Sequence, residues 1–248
     1  MPGEILAARP LPASIGARER LVVALDVSRA DTARELVDRI GEAAGVYKIG
    51  LQLFTAEGPR LVQELVGSGR KVFLDLKLHD IPNTVSHAVK SAAALGVSML
   101  TVHAAGGSDV LRAAVEAADG RLSLLAVTVL TSFSDSDLRE IGVRDTTPDQ
   151  VLRLTALAQE TGCAGIVTSP RETALVRKSF GPGLIIVNPG MRPAGASKDD
   201  QERTATPAEA IRAGASYIVV GRPITKADDP AKAAREIVLE MERALLKS

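Results

Sequence analysis

Eight short runs of aliphatic residues recur along the chain, and segments of helical character separate them. The runs are almost continuously apolar, which is typical of parallel strands that are buried on both faces of a sheet. They predict eight strands, over residues 21–27, 45–51, 71–78, 99–103, 123–130, 165–168, 184–187 and 217–220. Helices are therefore expected to cover the sheet that these strands form.

The segments between the runs carry residues that are typical of helix starts. Thr206 precedes Pro207, and Glu209 stands at capping-box spacing from that threonine, so a helix is predicted to begin there. The same pattern of a capping residue before proline occurs at Thr147, Ser169 and Asp229. Eight helices are predicted, over residues 30–40, 57–66, 82–95, 109–118, 148–161, 170–179, 207–213 and 230–246.

Eight β/α units in 248 residues predict an α/β protein with a (β/α)8 TIM-barrel fold, which typically takes about 250 residues. No break in composition marks a second domain. Residues 21–248 are therefore predicted to form one barrel domain, and residues 1–20 a loose N-terminal lead-in. A doubly wound open sheet is the main alternative fold.

The charge balance restricts the classes of partner. Lys and Arg together number 30, as do Asp and Glu, so the formal net charge is zero. A general nucleic-acid-binding protein would carry a basic excess, and we expect no nucleic-acid partner. A local cationic pocket for a small phosphorylated ligand remains compatible with this balance.

The single cysteine, Cys163, rules out an intramolecular disulfide and fits a reducing compartment. With only three histidines beside it, a dedicated zinc site is disfavoured, and we expect no metal. No apolar stretch has the length of a signal-peptide core or of a membrane span. These features predict a cytoplasmic protein with no membrane partner.

Polar residues follow several of the predicted strands. In a barrel, the active site lies where strands end and βα loops begin, so residues at these positions are candidates for function. They are Asp26, Lys48, Asp75, Lys77, Asp80, Asn83, Thr84, Thr131, Ser132, Arg192, Gly221 and Arg222. Two lysines and three aspartates at successive strand ends favour a functional interpretation of the set over a separate structural role for each.

Asp75 and Lys77 lie two residues apart in the third predicted strand, so they point to the same side. The apolar residues of opposite parity can pack against helices. Burying a carboxylate and an ammonium is costly unless they pair, and such pairs tune catalytic groups. An isolated D-x-K is more often a structural ion pair, but the other strand-end residues favour catalysis.

The last two strands indicate a phosphate site, because barrels frequently bind phosphate with the loops after strands seven and eight. Backbone N–H groups at Gly190 and Gly221 could approach the anion, and Arg192 and Arg222 could form charge-assisted hydrogen bonds with it. The loop over residues 193–203 is either a lid that closes over a ligand or a solvated surface loop.

The segment over residues 75–84 reads DLKLHDIPNT and resembles the D-x-K-x-x-D-x-x-N-T signature of the orotidine 5′-phosphate decarboxylases, specifically their bacterial branch. Five further segments match in order and place: ALD at 24–26, YKIG at 47–50, VLTS at 129–132, PGMR at 189–192 and VGR at 220–222. The resemblance extends over residues 21–246 and leaves only the first twenty residues outside it.

The resemblance implies cofactor-free decarboxylation of orotidine 5′-monophosphate to uridine 5′-monophosphate (UMP) in de novo pyrimidine synthesis. It assigns catalysis to Lys77, Asp75, Asp80 and Lys48, with Asp75 beside the departing carboxylate. The implied substrate contacts are Asp26 and Lys48 on the ribose, Thr131 and Ser132 on the pyrimidine, Gln201, Gly221, Arg222 and Arg192 on the phosphate, and also Asn83. It further implies a homodimer in which Asp80 and Thr84 enter the neighbouring subunit's site.

The implied chemistry explains why a lysine is needed. Loss of CO2 from C6 leaves a carbanion in the ring plane, which the ring π system cannot delocalise. An ammonium near C6 can stabilise that charge and then donate the proton, and Lys77 is the residue of the signature that can do both. An array of Lys48, Asp75, Lys77 and Asp80 is also formally neutral, which limits the cost of burying it.

Two other functions remain open. One is a related barrel enzyme that shares D-x-K-x-x-D but acts on a sugar phosphate with Mg²⁺, and the other is a nucleotide-binding protein without catalysis. Outside the site, a packing or capping role is expected for His79, a surface or interface position for His87, and a structural role for His103. Cys163 is interpreted as a small buried residue.

Overall fold

The computed structural model describes residues 15–192 and 205–246. The eight aliphatic runs form parallel strands, and each strand is hydrogen-bonded to the next. Because β1 also pairs with β8, the sheet closes into a barrel, which confirms the predicted fold and excludes the open sheet. The strands are β1 (Leu21–Ala24), β2 (Val46–Gly50), β3 (Val72–Leu78), β4 (Met99–His103), β5 (Ser123–Val127), β6 (Gly165–Val167), β7 (Ile185–Asn188) and β8 (Tyr217–Val220).

Helices connect the strands around the outside of the barrel. They are α1 (Ala17–Arg20), α2 (Ala30–Ile40), α3 (Leu51–Glu57), α4 (Pro59–Gly67), α5 (Pro82–Ala94), α6 (Ser108–Ala118), α7 (Asp135–Glu140), α8 (Thr147–Glu160), α9 (Pro170–Phe180), α10 (Pro207–Arg212), α11 (Arg222–Thr225) and α12 (Pro230–Leu245). Short 3-10 helices span Gly41–Ala43 and Ala104–Gly106. The sequence did not predict α1, α3, α7 or α11.

Side-chain caps begin several of these helices as predicted. Ser169 and Asp229 accept hydrogen bonds from backbone N–H groups of the first turn, and Thr206 forms a complete capping box. The cap predicted at Thr147 is wrong by one residue, because Thr146 accepts from the Asp149 N–H. The Thr147 hydroxyl instead donates to the Asp135 carboxylate.

Two apolar layers lie on the two sides of the barrel wall. The interior layer includes Val22, Phe73, Met99, Leu125 and Val187. The outer layer is larger and joins the opposite faces of the strands to the helices. Alternation along each strand sends successive side chains to these two layers. On β3 the outer layer receives Leu74, Leu76 and Leu78, as the sequence predicts.

Helix α1 lies within the segment predicted as a lead-in. Its Ala17 is buried in the outer apolar layer, and Arg20 donates to the Ser216 carbonyl, so this part is packed against the barrel. The predicted division between residues 20 and 21 stays a prediction. No helix in the described ranges combines the length and apolarity required to cross a bilayer.

Candidate active site

A pocket of about 500 Å³ opens at the carboxyl ends of the strands, where barrel active sites lie. Its floor is apolar, with Phe73, Val127 and Val187 among the lining residues. Its charged lining residues are Asp26, Lys48, Asp75, Lys77, Arg192, Arg222 and Lys226. Among the described lining residues, the pocket therefore joins an apolar base to walls that carry more positive than negative groups.

Two lysines and two aspartates alternate in a chain of contacts across the pocket. The Lys48 ammonium donates to Asp26 Oδ1 at 2.9 Å and lies 3.8 Å from Asp75 Oδ2. Lys77 Nζ donates to the same Asp75 oxygen at 2.8 Å. Lys48 is only 8% exposed, so its charge needs such partners. Within one chain, the neutral array is completed by Asp26, where the sequence suggested Asp80.

A bulge in β3 accompanies the contact between the side chains of Lys77 and Asp75. Leu74 pairs with Leu100 and Leu78 with Val102, so four steps along β3 match two along β4. Within this bulge the Lys77 backbone is left-handed, with φ of 50°. Such a conformation in a non-glycine residue costs about 1–3 kcal/mol and is typical of functional sites. Simple strand alternation did not predict it.

Thr101 of β4 lies beside the bulge and contacts both charged residues. Its hydroxyl oxygen is 2.8 Å from the Lys77 backbone nitrogen and 2.9 Å from Asp75 Oδ1. The two oxygens of Asp75 are thus divided between the threonine and the lysines. Thr101 is fully buried, and no sequence motif pointed to it. A hydroxyl at an inward-facing position of an otherwise apolar strand is the signal that could have identified it.

Gly50 leaves the space that the Lys48 ammonium occupies. A Cβ atom at this position would lie 2.9 Å from Lys48 Nζ and 3.6 Å from Asp26 Oδ1. Gly50 pairs with Asp75 across β2 and β3, so any side chain here would enter the charged array. Gly50 had no predicted role within the motif YKIG, and the structure shows that it leaves room for the Lys48 ammonium.

The predicted phosphate residues surround the opposite part of the pocket. Arg192, Gly190, Gly221 and Arg222 all line it. Gly190 has φ of 78°, a left-handed conformation that favours glycine. Arg222 is the first residue of α11, and Gly221 precedes it. Gln201 and the loop over residues 193–203 lie outside the described residues.

The remaining predicted residues divide between pocket and surface. Thr131 lines the pocket. Ser132, Asn83 and Thr84 are exposed and are not among the described residues that line it. Asp80 is also exposed, and its carboxylate accepts from the Ile81 N–H at 2.6 Å. The predicted entry of Asp80 and Thr84 into a neighbouring subunit's site stays a prediction.

His79 and His103 lie together beside the bulge, with ring centroids 5.3 Å apart. Burial is the main cause that lowers the pKa of His103, and the nearby His79 and Lys77 lower it further. His87 is exposed on α5 and contacts the Asn83 carbonyl. Burial raises the pKa of the Cys163 thiol to about 11, which suits an inert buried residue.

A closed β/α barrel with a lysine–carboxylate array at its carboxyl end defines the class: a single-domain barrel enzyme. Residues 19–237 match the model of the family described as "Orotidine 5'-phosphate decarboxylase / HUMPS family". The chain belongs to this family, which confirms the resemblance seen in the sequence.

Similar proteins share most of the chain. It is 53% identical to the orotidine 5′-phosphate decarboxylase of Anaeromyxobacter dehalogenans, over 88% of this chain and 96% of the relative. It is also 53% identical to that of a Methylobacterium species, over 92% and 97%. The crystal structure of the orotidine 5′-phosphate decarboxylase from Lactobacillus acidophilus superposes with a TM-score of 0.81, 38% identity, and coverage of 89% and 98%.

Proposed function

We propose that this chain decarboxylates orotidine 5′-monophosphate to UMP and CO2 without a cofactor, as a step of de novo pyrimidine synthesis. The observation that carries the proposal is the alternating array of Asp26, Lys48, Asp75 and Lys77 in one pocket. The relatives that share about half of its residues are named for this activity. The proposal places the reaction in the cytoplasm, which the single buried Cys163 fits.

In this proposal Lys77 is the proton donor. Departure of CO2 leaves the bonding electron pair on C6, in the plane of the ring and outside its π system. The Lys77 ammonium stabilises that pair as it forms and then transfers a proton to C6, so the C–C bond is replaced by a C–H bond. Asp75, 2.8 Å from the ammonium, orients it towards C6.

The other pocket residues orient the substrate. Asp26 and Lys48 contact the ribose, Thr131 and Ser132 face the pyrimidine, and Arg192, Arg222, Gly221 and Gln201 hold the phosphate. The phosphate is remote from C6, so its binding energy contributes to the rate by fixing the base against Lys77. We also propose that Asn83 contacts the substrate, and that the chain forms a homodimer in which Asp80 and Thr84, exposed in the single chain, enter the neighbouring pocket.

The main rival is a metal-dependent reaction on a sugar phosphate. Among the described lining residues, the two carboxylates, Asp26 and Asp75, each pair with a lysine ammonium, at 2.9 and 2.8 Å, so both are already neutralised by protein groups. This pairing favours the nucleotide substrate. The family description carries a second name beside the decarboxylase, so a direct assay is the way to choose between the two functions.

The test is turnover of orotidine 5′-monophosphate with and without excess EDTA. Turnover is measured as UMP formation and CO2 release. We expect equal rates in both conditions, because the proposed chemistry uses only protein groups. Activity that disappears with EDTA and returns with Mg²⁺ would contradict the cofactor-free mechanism. No CO2 release in either condition would contradict the proposed function and would leave the sugar-phosphate enzyme and the non-catalytic nucleotide-binding protein as the alternatives.

A further inference from the structure

We infer that Thr101 is a positioning residue that sets the geometry of Lys77 and Asp75 for proton transfer. This inference rests on the proposed function, because it assigns Thr101 a part in the same reaction. Thr101 lies on β4, is completely buried, and is not among the residues that line the pocket. Within the described residues it therefore acts on the reaction only through the residues that it holds.

The donor and acceptor roles of the Thr101 hydroxyl follow from its two partners. The Lys77 backbone N–H can only donate, so the hydroxyl oxygen accepts that hydrogen bond at 2.8 Å. An ionised Asp75 carboxylate can only accept, so the hydroxyl proton is directed to Oδ1 at 2.9 Å. One hydroxyl thus holds the backbone of the proton donor and the side chain of its carboxylate partner.

The bulge in β3 explains why a side chain is needed at this point. Between the pairs Leu74–Leu100 and Leu78–Val102, three residues of β3 face Thr101 alone. Regular ladder hydrogen bonds cannot serve all three, and the left-handed Lys77 turns its N–H towards β4. The Thr101 hydroxyl satisfies this partly buried donor, which the irregular ladder leaves to a side chain.

The contact with Asp75 has a separate consequence. Because Thr101 holds Oδ1, the other oxygen, Oδ2, faces Lys77 at 2.8 Å and Lys48 at 3.8 Å. Without the hydroxyl, the carboxylate could rotate and release the Lys77 ammonium from its position. Displacement of a catalytic group by about 1 Å can cost about 100-fold in rate, so the expected effect falls on the chemical step.

The test compares Thr101→Val, which keeps the shape but removes the hydroxyl, with Thr101→Ser, which keeps the hydroxyl. We expect Thr101→Val to lower kcat about 10- to 100-fold per active site, where the number of active sites is measured by UMP binding. The Kd of UMP should stay within about threefold of the wild-type value. Thr101→Ser should recover most of kcat. Thr155→Val is the matched control, because Thr155 is equally buried but donates to a helix carbonyl on α8.

Three outcomes would overturn the inference. They are a kcat within about threefold of wild type in Thr101→Val, a Thr101→Ser variant as slow as the valine variant, or a lower melting temperature and fewer UMP sites with kcat per site unchanged. If Thr101→Val does not fold, Thr101→Ala supplies the same comparison without the hydroxyl. An inactive wild-type enzyme would contradict the proposed function itself, which separates the two failures.

Discussion

At the scale of single residues, Asp75 occupies the central place in the charged array. Its side chain is 13% exposed and stands between two ammonium groups, with Lys77 at 2.8 Å and Lys48 at 3.8 Å. Removing one member of a buried ion pair typically costs about 3–5 kcal/mol, because the remaining charge loses its partner. The site is therefore a connected unit, in which a change at Asp75 affects both lysines.

Arg222 offers a test of phosphate recognition. Arg222→Ala should lower kcat/KM for orotidine 5′-monophosphate about 100-fold or more, because a charge-assisted contact that orients the substrate is lost. The same change should have little effect on orotidine, which lacks the phosphate. Steady-state kinetics on both substrates measure the difference, with the exposed Arg235→Ala on α12 as control. A loss under about threefold on the phosphorylated substrate would contradict the assignment.

Local rules explain how much of the site was predictable from sequence. Strand parity placed Asp75 and Lys77 on one side, and the ends of parallel strands gathered Lys48 and Arg222 at the same pocket. The left-handed Lys77 was not predictable in this way, because it depends on a bulge against β4 and on the Thr101 hydroxyl. Contacts between strands decide it, and no pattern within β3 expresses them.

At the scale of elements, β6 and β7 approach closely because β6 begins with glycine. A Cβ atom at Gly165 would lie 2.2 Å from the Ile185 carbonyl oxygen, so an alanine would force backbone to move. We expect Gly165→Ala to lower the free energy of unfolding by about 1–3 kcal/mol. Denaturant unfolding of the two proteins measures this change.

Gly67 is the matched control for that substitution. It lies in α4, and a Cβ atom there would meet nothing within 4 Å. Gly67→Ala should therefore raise stability by about 0.5–1 kcal/mol, because alanine loses less backbone entropy in a helix. If Gly165→Ala were equally stabilising, that result would contradict the close packing of β6 against β7 at Gly165.

Strong periodic segments were predicted well, and short or uncapped ones were not. Helix α3 begins at Leu51, directly after Gly50, and no side chain caps it. Because Leu51 also continues the apolar run of β2, the sequence pattern assigned it to the second predicted strand. Helix α7 has a capping box formed by Ser134 and Asp137 but only six residues, too few for a clear helical period.

At the scale of the whole molecule, closure of the barrel gathers the strand ends around one pocket. Residues as distant in sequence as Asp26 and Arg222 line it together, because β1 and β8 are neighbours. An open sheet would separate these two ends. The architecture thus explains why six short motifs spread over the chain can serve one site.

The proposed sharing of sites between subunits can be tested by mixing two inactive variants. Lys77→Ala and Asp80→Ala each remove one half of a shared site, so a heterodimer regains one complete site. Random exchange in a symmetric dimer should restore about a quarter of the wild-type activity. Turnover of the mixture, after native mass spectrometry has verified exchange, measures this recovery. Exchange without any recovery would contradict shared sites.

The Lys77→Ala variant tests the proposed proton donor, by comparing its CO2 release from orotidine 5′-monophosphate with that of the wild-type protein. We expect the variant to lose at least about 100-fold in kcat, because the proposed proton donor is absent, and still to bind UMP. Binding of UMP shows that the pocket is folded. A variant that binds UMP and releases CO2 at more than about a hundredth of the wild-type rate would contradict the role of Lys77.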